Sequence, residues 1–318
     1  MPEEYDKLGP DAETDQLETA VPGPGESTEP SERFLKATAA LPALFTLGNG
    51  ISGFAAIYFA TREGLGNATP ALLSLSCYLI LLSMVFDMLD GRVARMTRRT
   101  SDFGGQLDSL CDIVSFGAAP AMLMLQAVVM VLRGPLLDKM VDDFILVGHS
   151  TAMERAVFAI AAVYLSCAAI RLARFNVENE PDESAHMSFR GLPSPGAAAA
   201  VVGLTLLYAH LYAGAYPEQG HSEPIIWRAQ DGLLLSVSMA LPVFTLVAGL
   251  LMVSRFRYPH LVNQYIRGRR PVGYIVKLVL VVLAMLLWPF ETMAAVALVY
   301  VLSGPIAAGL GKLPWLRK

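Results

Sequence analysis

The chain has 318 residues, of which 54% are hydrophobic and only 16% charged, and a mean hydropathy of +0.48. Soluble domains average about 25% charged residues, so this composition disfavours a soluble globule and favours a polytopic membrane protein. Three cysteines without a CxxC spacing and five scattered histidines without HExxH disfavour a disulfide framework and a thiolate or imidazole metal centre, and no nucleic-acid partner is expected.

The net charge of −4 hides a division. Residues 1–32 hold ten acids and one base, Lys7, with Pro and Gly and almost no large apolar residue. They read as a disordered acidic tail. The tail has no apolar core segment and is not a secretory signal peptide. Residues 33–318 form the expected transmembrane domain.

A membrane span needs about 20 mostly apolar residues. Eight candidates follow the tail, at 41–60, 70–91, 107–132, 154–175, 193–213, 232–253, 272–289 and 292–310. The last two are short and are expected to form a helical hairpin joined around Pro289–Glu291. Within the first, "GNGISG" (Gly48–Gly53) offers small residues that permit close helix packing. Trp227, Trp288 and Trp315 fall near predicted span ends, as an aromatic belt requires. Basic connections alternate with poor ones, 17 Lys and Arg on one side against 5 on the other. The positive-inside rule then puts both termini in the cytoplasm.

Between spans 2 and 3 lies "FDMLDGRVARMTRRTSDFGGQLDSLCD" (Phe86–Asp112). One carboxylate at a bilayer centre costs about 2.5–3.5 kcal/mol, so four unpaired ones could cost about 10 kcal/mol. The charge count moves them to the cytoplasmic edge. As helices, Asp87, Asp90, Gly91 and Ala94 share one face, and so do Gly104, Asp108 and Asp112. The short connection makes the two helices antiparallel neighbours, so both faces can converge on one pocket. Four carboxylates without His or Cys describe a hard oxygen site, suited to Mg²⁺ or Mn²⁺, with Ca²⁺ as a further candidate. Gly91, Ala94 and Gly104 leave room for a large ligand, and Arg95, Arg98 and Arg99 supply cations for a phosphate or pyrophosphate. The plainer reading is a set of solvated acids balanced by arginines. Four Asp on two matched faces, interleaved with small residues, weigh against it.

The spacing Asp87-x2-Asp90-Gly91-x2-Ala94-Arg95-x8-Gly104-x3-Asp108-x3-Asp112 resembles the motif of the CDP-alcohol phosphatidyltransferase family. The resemblance implies an all-α, usually dimeric protein with a six-helix membrane core, here extended by the C-terminal hairpin. It implies two divalent ions held by Asp87, Asp90, Asp108 and Asp112, a CDP moiety against Gly91, Ala94, Arg95 and Gly104, and Asp112 as general base. "LPALFTLGNGISGFAAI" (41–57), "SFGAAPA" (115–121), "RLARFNVE" (171–178) and "FRGLPSPGAAA" (189–199) further resemble the phosphatidylserine synthases of bacteria and archaea. One departure is Pro42-Ala43, where that first helix usually carries Pro-Asn. Asn49 is then the better candidate for a nucleotide contact.

The implied reaction transfers a phosphatidyl group from CDP-diacylglycerol to L-serine and releases CMP, in a multi-pass protein of a bacterial-type inner membrane surrounded by membrane lipids. Arg171 and Arg174, three residues apart, are candidates for the serine carboxylate or the donor's phosphates; positive-inside anchoring is the alternative. Two rival readings remain at this level. One is the same family with glycerol phosphate or inositol phosphate as acceptor. The other is a cation transporter with the four Asp as its ion site, although no inverted repeat or midplane helix break is evident.

Overall fold

A computed structural model describes residues 30–65, 67–97, 102–132, 149–178, 189–215, 229–258 and 272–310. Most of the acidic tail, Arg98, Arg99, Trp227 and Trp315 lie outside the described residues. The chain divides into two compact units, Met1–Thr38 and Ala39–Lys318, and all residues that build the site belong to the second.

The described elements are α1 (Pro30–Thr61), α2 (Pro70–Thr97), α3 (Asp102–Asp112), a π-helical turn (Ile113–Ala118), α4 (Ala119–Leu132), α5 (His149–Glu178), α6 (Ser194–Ala215), α7 (Ala229–Val253), α8 (Val272–Leu287) and α9 (Pro289–Leu310). Two-residue strands, β1 (Phe189–Arg190) and β2 (Arg257–Tyr258), pair antiparallel. Among the described residues, seven stretches are long and apolar enough to cross a membrane: one each in α1, α2, α5, α6, α7 and α9, and the continuous run Phe103–Leu132. The protein is therefore an all-α, multi-pass membrane protein. The stretch 272–289 is shorter than the span expected of it: α8 has 16 residues, about 24 Å of helix. Its joint to α9 is the single residue Trp288, half a turn earlier than expected. Backbone bonds from Trp288 N–H to Ala284 O and from Thr292 N–H to Trp288 O bridge it, and Pro289, which has no N–H to donate, opens α9.

The run Phe103–Leu132 is the central post. Of its most apolar window 78% is buried, against 22% for α9. Every residue of α4 except Met122 is buried, and α4 packs against α2, α5, α6 and α7. A helix apolar all round belongs inside a bundle, which is where this one lies.

The second unit's part of α1 is divided differently. Thr46, Asn49, Gly53, Ala56 and Ala60, spaced by three and four, are buried. Leu44, Leu47, Ile51, Phe54 and Tyr58 are exposed on the other faces. Small residues inward and large ones outward is the pattern of a helix that packs closely on protein and shows its bulk to lipid. The glycines of "GNGISG" do this packing. A Cβ on Gly50 would lie 2.8 Å from Cys111 Sγ, and one on Gly48 3.3 Å from the Phe86 ring. The three cysteines are free and buried.

The β1–β2 pairing fixes the start of α6. Gly191 N–H bonds Phe256 O at 2.8 Å and Leu192 N–H bonds Leu251 O at 3.0 Å. Gly191 has φ +85°, and a side chain there would run into the Met252 carbonyl oxygen. Only glycine serves at this position. The segment thereby hands Ser194 to the site at the first turn of α6.

Candidate active site

α2 carries Asp87 and Asp90 one turn apart, and α3 brings Asp108 alongside. Ligand atoms of these three carboxylates lie within 4.8 Å of one another. Asp90 is 6% exposed, and Asp87 and Asp108 are half-buried. Asp90 Oδ2 and Asp108 Oδ1 are buried and have no hydrogen-bond partner among the described residues. Like charges brought together and stripped of water are unstable without a compensating cation. Hard carboxylate oxygens left unsatisfied in one place are what a divalent cation of the Mg²⁺, Mn²⁺ or Ca²⁺ class requires. The residues fit such an ion.

Asp112 lies one turn further along α3 and is not one of these three. It is 8% exposed, and its Oδ1 accepts a 2.9 Å hydrogen bond from Asn49 Nδ2 on α1. Asn49 is fully buried. Its amide nitrogen is committed to Asp112, and its Oδ1 has no partner among the described residues. The structure thus places the residue expected at the nucleotide directly against the carboxylate expected to act as base.

The π-helical turn begins immediately after Asp112. Ala119 N–H reaches back five residues to Val114 O. Such wide turns recur at functional sites because they release backbone groups and shift helical register. Here both consequences are used. Tyr164 OH donates to Phe116 O at 3.0 Å, so the carbonyl remains satisfied. Ser115 Oγ donates to Asn49 O at 2.9 Å, so the turn grips the α1 residue that holds Asp112. Asn49, Asp112 and Ser115 form one buried clamp between α1 and the central post.

From α5, Arg171 Nη1 donates to Ser194 Oγ at 2.6 Å, and its Nε is buried without a partner among the described residues. Arg171 is close enough to Asp112 and Asp87 to interact with both electrostatically. Arg174 is half-buried one turn on. Next to it, Asn176 and Ser109 exchange side-chain bonds of 2.9 and 3.1 Å and tie α5 to α3. On α2, an added Cβ at Gly91 would meet nothing within 4 Å among the described residues. Ala94 shares the helix with Gly91, and Gly104 sits on α3 a turn before Asp108; both are half-buried. The side chain of Arg95 lies outside the described residues. Ser194 and the Asn49 clamp carried no signal in the motif. Their positions in "GLPSPG" and "GNGISG", two of the resembling stretches, were the only pointers.

The CDP-alcohol phosphatidyltransferase model matches residues 39–244, more than half of the chain, from within α1 to within α7, and leaves out β2, α8 and α9. The chain belongs to the CDP-alcohol phosphatidyltransferase family. Among curated relatives of this phosphatidyltransferase, the CDP-diacylglycerol–serine O-phosphatidyltransferase of Helicobacter pylori is 32% identical over 219 residues, covering 69% of this chain and 71% of its own. The enzyme of the same name from Saccharomyces cerevisiae is 37% identical over 164 residues, covering 50% and 51%. The archaetidylserine synthase of Methanothermobacter thermautotrophicus is 34% identical over 178 residues, covering 55% and 62%. Membership of a transferase family sets the cation-transporter reading aside.

Proposed function

We propose that this chain transfers the phosphatidyl group of CDP-diacylglycerol to L-serine, releasing CMP and forming phosphatidylserine. The convergence of Asp87, Asp90 and Asp108 beside Arg171 carries the reading, and the names of the relatives support serine as acceptor. Asp87, Asp90 and Asp108, with Asp112, would hold Mg²⁺ or Mn²⁺. When bound, the ion would offset the charge of the pyrophosphate and of the departing phosphate.

The chain's own residues do the rest. Gly91, Ala94 and Gly104 let the CDP moiety approach the helix backbones, with Arg95 as a cation beside it. Asp112 takes the proton of the serine hydroxyl as its oxygen bonds to the β-phosphorus and the bond from that phosphorus to the CMP oxygen breaks. The Asn49 amide occupies one oxygen of Asp112 and orients the other, which favours a single productive geometry. Arg171, with Arg174 nearby, receives the serine carboxylate. The excess of basic residues on one side supports cytoplasmic termini and a pocket open to the cytoplasm, where serine and CMP dissolve. The family resemblance supports a homodimer.

The decisive experiment is CMP release from CDP-diacylglycerol by purified protein with Mg²⁺ or Mn²⁺, against a panel of L-serine, glycerol phosphate and inositol phosphate. Stimulation by serine alone is expected. Stimulation by a phosphorylated alcohol instead of serine would sink the assignment.

Two variants probe the two substrates separately. The methyl of Gly91→Ala meets no atom within 4 Å among the described residues, so the fold should be unaffected. If the nucleotide lies there, the KM for CDP-diacylglycerol rises about tenfold, which is about 1.4 kcal/mol. An unchanged KM would remove Gly91 from the donor site. Arg171→Ala should raise the KM for serine about tenfold or more, the loss of one charge-assisted hydrogen bond of about 1.5–3 kcal/mol. Unaltered serine kinetics would return Arg171 to an anchoring role.

A further inference from the structure

The family match ends at residue 244, yet α9 reaches the acceptor side of the site. The ring of Tyr300 lies against the first turn of α6, where a methyl on Gly196 would stand 2.6 Å from Tyr300 Cε1. Gly196 is two residues beyond Ser194, whose hydroxyl accepts the bond from Arg171. Tyr300 and Arg171 are close enough to interact electrostatically. The guanidinium therefore has both the carboxylates and a phenol for neighbours, and its Nε has no partner among the described residues, which leaves it as a donor for a ligand.

The Tyr300 ring packs between Gly196 and Tyr258. Behind it stands Tyr258, with ring centroids 5.8 Å apart and an interplanar angle of 56°. Tyr258 is fully buried, and its hydroxyl donates to Val301 O at 2.9 Å. Gly304 makes room for that ring, since a Cβ there would lie 2.5 Å from Tyr258 Cζ. Two glycines on different helices and a locked tyrosine thus serve to place one half-buried ring. Packing alone would be met by an aliphatic side chain; a ring with a polar tip at this point suits a boundary between packed protein and a polar ligand.

We propose that Tyr300 is a specificity-determining residue of the acceptor subsite. It walls the space beside Arg171 and holds the guanidinium toward an acceptor that carries a carboxylate, so that a hydroxy-amino acid is preferred over an amino-alcohol lacking that group. The proposal rests on the serine reading above.

The test measures CMP release by the full chain in detergent micelles containing CDP-diacylglycerol, with L-serine or ethanolamine as the varied acceptor. Tyr300→Leu should raise the serine KM about tenfold with kcat within about twofold, and should shrink the preference for serine over ethanolamine by the same factor. Tyr300→Phe, which is nearly isosteric and loses only the hydroxyl, should raise the serine KM about threefold. A folded Tyr300→Leu with unchanged serine KM overturns the proposal. So does an equal loss with both acceptors, which would make Tyr300 a packing residue. If Tyr300→Leu does not fold, an unchanged KM in Tyr300→Phe overturns it. Wild-type protein that ignores serine overturns the serine reading and this proposal together; wild-type protein that uses serine, with the preference intact in the variants, overturns this proposal alone.

Discussion

Asp112→Asn is expected to lower serine-dependent CMP release by about a thousandfold, within the range that general-base catalysis contributes, while the protein stays folded. The substitution is nearly isosteric. The new amide oxygen can still accept from Asn49 Nδ2, so the 2.9 Å bond and the clamp on α1 survive. Losing the charge relieves its repulsion with Asp87 and Asp108, which offsets the lost attraction to Arg171. What is lost is a charge that can accept a proton and, on the proposed reading, help hold the ion. Single-turnover CMP release, read beside thermal melting in detergent, separates the two quantities. Wild-type turnover in Asp112→Asn would remove Asp112 as the base. An unfolded variant would instead assign the carboxylate to the clamp.

Gly53→Ala is expected to lower activity by another route. In an exposed helix the change would stabilise by about 1 kcal/mol. Here the added methyl would come 2.6 Å from Ser115 Cα and 2.8 Å from Ser115 Cβ. The obstacle is main chain in the π-helical turn, which is held on its other side by Tyr164. It cannot rotate aside as a side chain could. α1 must back away, and Asn49, one turn earlier on the same face, moves with it. Overpacking of this kind costs about 1–3 kcal/mol, and the Asn49–Asp112 and Ser115–Asn49 bonds go with it. A lowered melting temperature together with at least about a hundredfold loss of CMP release is the expected result. Wild-type melting and turnover would show that α1 does not need this close approach.

The aspartates were legible in the sequence because they follow one another along two helices. Spacings of three and four place Asp87 with Asp90, and Asp108 with Asp112, on single faces whatever surrounds them. The short connection between α2 and α3 then brought Asp87, Asp90 and Asp108 within reach of one another. Asn49 shows where this reasoning stops. The departure at Pro42-Ala43 made it the candidate for a nucleotide contact, but its partner lies 63 residues away on another helix. Nothing in either local pattern says which Asn face meets which Asp. Arg171 is similar: its spacing to Arg174 was visible, but the bond to Ser194 depends on a segment that folds back through β1 and Gly191. The division of 107–132 into α3, a π-helical turn and α4 was invisible too, since one register shift leaves hydropathy unchanged.

The sequence by itself determined the material of this protein. Apolar runs of bilayer length can satisfy their backbone only as helices, the basic residues alternate between connections, and the aspartate spacing makes a carboxylate face at a helix end. These are local properties, and helical periodicity turns them directly into geometry. The tertiary structure decided which faces meet. The inward stripe of α1, the π-helical turn that grips it, the start of α6 under Arg171 and the approach of Tyr300 from α9 all join residues far apart in the chain. Such contacts are set by how closely helices can approach, and a glycine or a register shift at one crossing moves a side chain tens of residues away in sequence.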